Sequence, residues 1–407
     1  MTEQVKSCGE QLKASLDEDR QRRYDETAKI LEEKLNDGDV KGAIDEAQKW
    51  YRKRSKASKP TYHDEESTRK EFEELHKAVE PTGEEIPIHI SPKPMVSDKP
   101  PEEEEVKEAV RKLKVAKAAG ATGVTAEHVK EWMKGAEDKK NPRYLGEWEM
   151  VLKLVEYCFV NDAEEAPRAF EIGILALIPK DVTSYRGIVL LELIYKLVSL
   201  IITRRLTEAI EFHDALHGFR GGRGTGTAIM ELKLLMQHTR NCGVENLYVI
   251  FLDLKKAYYS LDRDRTMAIL KGYGVGKNLL AFIKRVWDGD TLVSKQEGFF
   301  GVPFDVGRVR CGDIDSPIIF NIVVDAIIRD IAASGDYEYE VFLKSFYADD
   351  GAICDTDPAK VQSLANAFKD KFERVGLEMN DVKTKAMIVE GVKAPKMQSK
   401  AAFDRDS

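Results

Sequence analysis

Apolar residues recur at helical spacing along most of the chain, and one run of them is uninterrupted. Two amphipathic patterns within residues 1–54, separated by the turn-forming stretch 36–39, predict a helical hairpin. The uninterrupted run, LYVIFLDL at 247–254, is rich in β-branched residues and predicts a buried strand. Further amphipathic stretches predict helices at 106–117, 144–159, 192–206, 254–270, 279–287, 316–331 and 358–376.

Shorter apolar runs predict the remaining strands, and the mixture of strands and helices predicts an α/β (α+β) fold. Residues 181–191 are predicted to form a loop. Residues 55–105 lose all periodicity and contain seven prolines and the run EEEE, so they predict a mostly extended Pro/Glu-rich linker. The predicted strands lie at 173–180 and 385–390, in a hairpin-like region at 291–310, and in the strand pair KSFYADDGAICD at 344–355.

The net charge of −8 hides an uneven distribution of charged residues. Residues 61–110 carry 6 basic and 15 acidic side chains, whereas residues 171–300 carry 18 basic and 14 acidic ones. The acidity lies mainly in the predicted linker, so it does not exclude a nucleic-acid partner, which needs positive charge only where it meets phosphates. The small positive excess over 171–300 predicts weak binding that is lost as the salt concentration rises.

The cysteines and the apolar stretches indicate the compartment. The five cysteines are scattered and never spaced as C-x-x-C, so they indicate neither a disulfide framework nor a zinc site. The N-terminus has no apolar core for a signal peptide, and the most apolar stretch contains Glu192 and Lys196, which are costly inside a membrane. The sequence thus predicts an intracellular protein of the nucleus or cytoplasm that is not secreted and has no membrane partner.

Three carboxylates interrupt strands that are otherwise apolar. Asp253 ends the run LYVIFLD, and Asp349 and Asp350 lie at the predicted turn of the strand pair. A carboxylate in such a setting is costly unless a partner compensates its charge. Mg²⁺ is one such partner, because it prefers hard oxygen ligands held on rigid elements. Taken alone, Asp349 and Asp350 could equally be turn residues, since Asp-Gly is common in hairpin turns.

Several ordered motifs carry a resemblance to the reverse transcriptase domain of non-LTR (LINE-type) retrotransposons and related retroelements. The resemblance implies a right-hand polymerase with fingers and the start of the palm at 106–246, a palm at 247–392, a tail at 393–407, and a thumb that is missing or truncated. The motifs are KAAGATGVTAEHVK (117–130), ALIPKDVTSYRGIVLLELIYKLVSLIITRRL (176–206), HGFRGGRGTGTAI (217–229), FLDLKKAYYSLDR (251–263), CGDIDSPIIFNIVVDAIIR (311–329), FYADDGAI (346–353) and GLEMNDVKTKAMIV (376–389).

The resemblance implies RNA-directed DNA polymerase activity, in which the primer 3′-oxygen attacks the α-phosphate of a dNTP and pyrophosphate leaves. Asp253 and Asp349 would bridge two Mg²⁺ ions, with Mn²⁺ as an alternative, and Asp350 would be the outer, partly structural carboxylate. Tyr347 would lie beside the primer terminus, or would be an ordinary core-strand tyrosine. The implied partners are an RNA template, a DNA primer and dNTPs.

The resemblance also implies a pocket for the incoming nucleotide. Lys180 and Arg186 match the basic pair that contacts the triphosphate, a task that suits an ammonium and a forked guanidinium. Tyr258 matches the aromatic steric gate that excludes a ribose 2′-hydroxyl. Cys311 and Gly312 fall in the motif that shapes the pocket. The alternatives are solvated surface charges for Lys180 and Arg186 and a packing role for Tyr258.

Further basic residues match family positions that contact the reacting groups or the template. Lys383 or Lys385 corresponds to the lysine region that assists proton donation to pyrophosphate, and the sequence does not decide between the two. In the glycine-rich loop, Gly218, Arg220 and Arg223 match the segment that contacts the template, where backbone amides and guanidinium groups can approach phosphates closely. A basic strand end is the alternative for the two lysines.

Five positions depart from the family pattern, although none of them removes a metal-binding carboxylate. The departures favour an alternative hypothesis: a catalytically weak or inactive, decayed or domesticated reverse transcriptase-like protein that binds nucleic acid. A polymerase of another retroelement class, such as an intron-encoded one, is a further alternative. The departing residues are Thr122 for aspartate, Gly187 for proline, Tyr259 for aspartate, Cys311 for glutamine and Asp315 for an apolar residue.

Overall fold

A computed structural model describes most of the chain beyond residue 64. Backbone contacts divide the chain into two compact units, Met1–His63 and Asp64–Ser407. In the first unit only three residues are described, and all are helical, so the helical hairpin predicted for 1–54 lies outside the described residues. The described ranges are 29–30, 33, 65–77, 81–91, 93–138, 142–160, 167–179, 185–241, 246–296, 299–309, 313–334 and 343–391.

Helices and strands alternate along the second unit, which confirms the predicted α/β (α+β) class. The helices are α1 Glu65–His76, α2 Glu103–Lys112, α3 Ala126–Glu137, α4 Pro142–Cys158, α5 Arg168–Glu171, α6 Leu193–Ala209, α7 Thr225–Asn241, α8 Arg263–Gly272, α9 Lys277–Asp288, α10 Ser316–Ala333 and α11 Pro358–Glu373. The strands are β1 Ile172–Pro179, β2 Tyr185–Leu190, β3 Leu247–Lys255, β4 Thr291–Gln296, β5 Phe299–Phe300, β6 Phe304–Asp305, β7 Leu343–Tyr347, β8 Asp350–Asp355, β9 Glu378–Met379 and β10 Lys385–Val389.

Two five-stranded sheets organise the second unit. The first has the order β2-β1-β4-β5 with β6 also paired to β4, and its β1 and β4 run parallel. The second is antiparallel, with the order β10-β3-β8-β7 and with β9 paired to the end of β3. The second sheet therefore places the strand of Asp253 beside the hairpin that carries Asp349 and Asp350.

The two faces of β3 pack differently. Its even-numbered residues, such as Leu252 and Leu254, belong to the main hydrophobic core, whereas Leu247 and Val249 belong to a smaller cluster with the apolar side chains of α7. Since side chains alternate along a strand, Asp253 continues the α7 face and avoids the main core. The strand can thus end in a carboxylate without placing that charge in the densest part of the protein.

The acidic segment 55–105 was predicted to be a mostly extended linker, but it contains the helix α1. Phe72 and His76, one helical turn apart, are both buried. The Phe72 ring lies against Gly187 on β2, where an added Cβ would come within 2.6 Å of it. The prolines of this segment stand outside residues 61–80, so nothing prevents a helix there. Ile86 and Val96 are also buried, and the segment therefore contributes to the core.

Two further local predictions are wrong. The helix predicted over 254–270 begins only at Arg263, because β3 continues to Lys255 and a 3₁₀ turn at Ala257–Tyr259 follows. Asp262 caps α8, its side chain accepting from the Arg265 N–H at 2.8 Å. The predicted loop 181–191 contains β2, which pairs with β1. No helix of the described ranges is long and apolar enough to cross a membrane.

Candidate active site

Asp253 and Asp350 stand directly opposite each other in the antiparallel β3–β8 pair. Opposed residues in such a pair project from the same face and lie about 5 Å apart at Cβ. Asp349 lies immediately before Asp350, in the two-residue turn that joins β7 to β8. The other residue of this turn, Ala348, has a left-handed φ of 55°. The structure therefore brings together the three carboxylates that the sequence nominated.

The three carboxylates act on one another electrostatically. Burial raises the pKa of Asp350, and the negative charges of Asp349 and Asp253 raise that pKa further, while the Lys383 ammonium opposes them. The Oδ1 atom of Asp253 is buried and accepts no hydrogen bond from any described residue. Among the described residues, the cation paired with it is Lys383, whose Nζ lies 3.8 Å away. The site thus holds more negative charge than its described neighbours neutralise.

Residues 380–384 wrap around the backbone of Asp253. Its carbonyl oxygen accepts from the Asn380 N–H at 2.8 Å, and its own N–H donates to Thr384 Oγ1 at 3.3 Å. This turn places Lys383 beside the carboxylate. Lys385 instead lies in β10 opposite Phe251, with an exposed side chain. The geometry therefore favours Lys383 of the two lysines that the sequence left open.

The segment before the glycine-rich loop supports the Asp349–Asp350 hairpin. The Phe346 N–H donates to the Ala215 carbonyl at 2.7 Å, and the His217 N–H donates to the Phe346 carbonyl at 2.8 Å. Gly218 follows at a close approach, since an added Cβ would lie 2.8 Å from the Ala348 nitrogen. Asn321 of α10 donates to the Gly218 carbonyl at 2.7 Å in a buried contact. The close packing of Gly218 against Ala348 therefore helps to hold the turn between β7 and β8 in place.

Buried His217 anchors the same segment to α7. Its Nδ1 lies 3.0 Å from Thr227 Oγ1, and its Nε2 lies 3.2 Å from a Glu231 carboxylate oxygen. Next to it, the ring of Phe219 stacks on Tyr347 with centroids 6.2 Å apart. Sequence reasoning did not nominate Phe219, although it stands at the centre of the HGFRGG motif.

Both nominated arginines of the glycine-rich loop have partners within the protein. Arg220 is half-buried, and its Nη1 donates to the carbonyls of His213 and Leu216, each at 2.9 Å. Burial lowers the pKa of the Arg220 guanidinium, and the nearby Arg223 lowers it further. Arg223 itself forms an ion pair with the exposed carboxylate of Asp214. In this arrangement both guanidinium groups contact oxygen atoms of the protein, and a phosphate would have to compete with those contacts.

The nominated nucleotide-pocket residues are described only in part. Lys180, Cys311 and Gly312 lie outside the described residues. Arg186 lies on β2 and Tyr258 in the 3₁₀ turn, and for these two the backbone alone is described. Their placement in one pocket stays a prediction.

Two departures from the family pattern contact each other. The Tyr259 hydroxyl donates to the Gly187 carbonyl at 3.3 Å, and the ring of Tyr259 packs edge-on against His76 at 5.0 Å. Because the Phe72 ring occupies the space where Gly187 would carry a side chain, both departures are accommodated by α1. They are parts of one packing arrangement.

A third departure, Asp315, is buried at the N-cap of α10. The positive end of the helix dipole favours a negative charge at that position. Asp313 is buried nearby along the chain and accepts from the Tyr195 hydroxyl at 2.8 Å. The acidic residues of this motif therefore have structural partners.

The donor set fits a metal ion that is completed by substrate and water. Among the described residues no three His, Cys, Asp or Glu side chains form a ready group for a metal. Mg²⁺ is commonly held by one or two carboxylates, with phosphate and water oxygens completing its shell. The Oδ1 of Asp253, which accepts no hydrogen bond from a described residue, and the electrostatic repulsion at Asp350 suit such an ion.

Comparison with known protein families shows the family to which the chain belongs. Residues 178–401, more than half of the chain, match the family described as reverse transcriptase (RNA-dependent DNA polymerase). The chain therefore belongs to the reverse transcriptase family, whose members generally use divalent metal ions.

Relatives among curated proteins are Pol polyproteins of retrotransposable elements, which confirms the resemblance to non-LTR retrotransposon enzymes. One, from the type-2 element R2DM of Drosophila melanogaster, is 23% identical over 238 residues, or 56% of this chain and 22% of the relative. Another, from the type-1 element R2 of Popillia japonica, is 25% identical over 209 residues, or 47% of this chain and 29% of the relative. The chain thus spans less than a third of either relative.

Solved structures of telomerase also align with part of the chain. The telomerase of Candida tropicalis in complex with a telomeric RNA fragment is 14% identical, with a TM-score of 0.42, over 55% of this chain and 42% of that one. The corresponding Candida albicans complex is 14% identical, with a TM-score of 0.42, over 57% of this chain and 43% of that one.

Proposed function

We propose that this chain acts as the RNA-directed DNA polymerase domain of a non-LTR retroelement. The observation that carries the proposal is the β3–β8 register, which opposes Asp253 and Asp350 and sets Asp349 at the adjoining turn. In this proposal the second sheet belongs to the palm of a right-hand polymerase, and strands β1 and β2 of the first sheet belong to the fingers. The substrates are an RNA template, a DNA primer and dNTPs.

Asp253 and Asp349 would hold two Mg²⁺ ions, with Asp350 as the outer carboxylate. When bound, the ions stabilise the attacking and leaving oxygens of the phosphoryl transfer. Lys383 lies beside Asp253 and would donate a proton towards the departing pyrophosphate. The Phe219–Tyr347 stack would give the primer terminus an aromatic surface beside these carboxylates.

Residues of the proposed fingers and palm would together bind and select the nucleotide. Lys180 and Arg186 would contact the triphosphate, Tyr258 would exclude a ribose 2′-hydroxyl, and the Cys311–Gly312 backbone would shape the pocket.

The glycine-rich loop would contact the template. Gly218 holds the loop against the hairpin, and Arg223 would exchange Asp214 for a template phosphate. Arg220 donates through its Nη1 to two backbone carbonyls, so it would stabilise the conformation of the loop. It would contact a phosphate only through its remaining N–H donors.

Primer extension on poly(rA)/oligo(dT) with dTTP and Mg²⁺ or Mn²⁺ tests the proposal. We expect incorporation by the wild-type chain and none above background with Asp349→Ala. Equal incorporation by both proteins would indicate a contaminating polymerase. No incorporation by the wild type would remove the proposed activity and leave the family membership intact.

A second candidate function is nucleic-acid binding without catalysis. The internal pairing of Arg220 and Arg223 and the departure at Cys311 favour it. RNA binding that weakens as salt rises, without nucleotide incorporation, is its signature. Restoring glutamine with Cys311→Gln tests the pocket argument, because a gain of incorporation would show that the departure at Cys311 limits catalysis.

A further inference from the structure

A cavity of about 420 Å³ lies between the loop that follows α2 and the first half of α6. This volume is within the range of small-molecule sites, about 300–1,000 Å³. The wall is aliphatic, and no aromatic side chain lines it among the described residues. Its main apolar contributors are Leu113, Val124, Leu191, Leu193, Leu200 and Ile314.

Four lysines surround this aliphatic wall. Lys112, Lys114 and Lys117 come from the end of α2 and the following loop and are exposed, while Lys196 comes from α6 and is half-buried. Within the described part of the chain, none of the four forms a salt bridge with a carboxylate. Basic residues on the neighbouring turns are neutralised, since Arg204 pairs with Glu108.

Lys196 is the most informative of the four because burial acts against its charge. Desolvation lowers the pKa of its ammonium, and the carboxylate of Glu192 opposes that effect. Glu192 also accepts from the Thr122 N–H through its Oε2 at 3.1 Å, and it does not come within ion-pair distance of the Lys196 ammonium. A half-buried ammonium at the edge of an aliphatic cavity is therefore stabilised further by an anion that approaches it more closely than Glu192 does.

The loop that closes the cavity is held tightly against α6. Gly120 lies so near the start of this helix that an added Cβ would approach the Leu191 carbonyl oxygen to 2.5 Å. The Thr122–Glu192 hydrogen bond fixes the next residues of the same loop. The cavity wall is therefore a built part of the fold, with its lysines on fixed elements.

The chemistry of the lining selects one class of ligand. An aliphatic wall favours a hydrocarbon chain, and four ammonium groups that form no salt bridge with a described carboxylate favour an anion. Single-stranded nucleic acid would also bring phosphates, but its bases bind by stacking on aromatic or guanidinium planes, and no described residue of this lining provides one.

We propose that this cavity binds a free aliphatic anion, namely a hydrocarbon chain that ends in a carboxylate or phosphate group. The chain occupies the space between Leu113, Val124 and Leu200, and the anionic group pairs with Lys196 and the loop lysines. The inference does not depend on polymerase activity, because it uses no residue of the carboxylate site.

Isothermal titration calorimetry of the full chain with monomeric dodecanoate tests this inference. We expect saturable one-to-one binding and no binding of dodecyltrimethylammonium, which has the same tail and the opposite charge. Lys196→Met keeps an unbranched side chain of nearly the same length and removes its charge, and should weaken dodecanoate binding about tenfold or more. Ala118→Trp fills the cavity from an exposed loop position and should abolish binding.

Lys271→Met is the matched control, because Lys271 is exposed on α8 and does not line the cavity. It should bind dodecanoate like the wild type, and circular dichroism should show all three variants folded. Binding of the dodecyl cation as tight as that of dodecanoate would overturn the inference. Dodecanoate binding by Ala118→Trp that equals that of the wild type would also overturn it. A third contradictory result is a wild-type protein that binds oligo(rU) and not dodecanoate, with the oligo(rU) binding abolished by Lys196→Met and Ala118→Trp.

Discussion

At the scale of single residues, the arrangement around Asp253 distinguishes two lysines that the sequence could not separate. Lys383 lies 3.8 Å from the carboxylate, whereas Lys385 stands in β10 with its side chain in solvent. Only a lysine that reaches the reacting groups can deliver a proton to them. The two residues therefore form a natural pair of test and control.

Lys383→Ala should lower kcat for nucleotide incorporation by about 10²–10⁴-fold, the usual contribution of a general acid. Lys385→Ala should leave kcat within a few-fold of the wild type. Single-turnover incorporation with saturating dNTP measures both. An equal loss in the two variants would mean that general positive charge at this edge matters, and not a proton donor at position 383.

The sequence indicated the carboxylates, because each interrupts an apolar strand and lies in one of the ordered motifs that carry the family resemblance. The choice of Lys383 could not be predicted, since it depends on the turn at 380–384 and on the register of β10. The sequence showed that Gly187 and Tyr259 differ from the family pattern, but it did not show which contacts accommodate them. Their cause is the contact with α1, more than 100 residues earlier in the chain.

At the scale of elements, the Asp349–Asp350 hairpin depends on the segment that precedes the glycine-rich loop. Two backbone hydrogen bonds join residues 215–217 to Phe346, and Asn321 holds the carbonyl of Gly218. The motif HGFRGG was predicted to contact the template, and the structure gives its first residues a supporting role. Such a role requires knowledge of the spatial neighbour, which a single sequence does not provide.

Gly218→Ala should distort the hairpin, because the new methyl group would meet the Ala348 nitrogen at 2.8 Å. We expect a large fall in kcat with a smaller change in the KM for template–primer. Gly221→Ala is the control in the same loop, since its Cβ would meet open space. Wild-type kcat in Gly218→Ala would show that the hairpin tolerates displacement of this segment.

Helix α1 is the element that the sequence concealed. Its residues are largely charged, and only the spacing of Phe72, Leu75 and His76 shows a buried side. The prolines and acidic residues around it produce an average composition typical of a linker. That average masked a short helix whose contacts are made with β2 of the first sheet.

Phe72→Ala should lower the free energy of unfolding by about 3–5 kcal/mol, the usual cost of removing a buried phenylalanine side chain. Urea denaturation followed by circular dichroism measures it. Glu71→Ala, exposed on the same helix, should change stability by less than about 0.5 kcal/mol. A similar small effect for Phe72→Ala would contradict the packing of α1 on Gly187.

At the scale of the whole molecule, the order of strands and helices from residue 106 onward follows the hydrophobic pattern, except that α3 and β2 were not predicted and α8 begins later than predicted. The sheet topology then brings together carboxylates that are almost 100 residues apart. Weak nucleic-acid binding stays a prediction, and it is favoured by the internal partners of Arg220 and Arg223, with which a phosphate would have to compete. The predicted boundaries of fingers, palm and tail stay predictions.

The number of divalent ions bound at Asp253, Asp349 and Asp350 tests the central claim most directly. Electron paramagnetic resonance can count Mn²⁺ ions in a complex of the chain with an RNA template, a dideoxy-terminated primer and the next dNTP. We predict two bound ions for the wild type and for Lys385→Ala, and a loss of at least one ion in Asp253→Asn. The same count in Asp253→Asn as in the wild type would contradict a polymerase site built on these carboxylates.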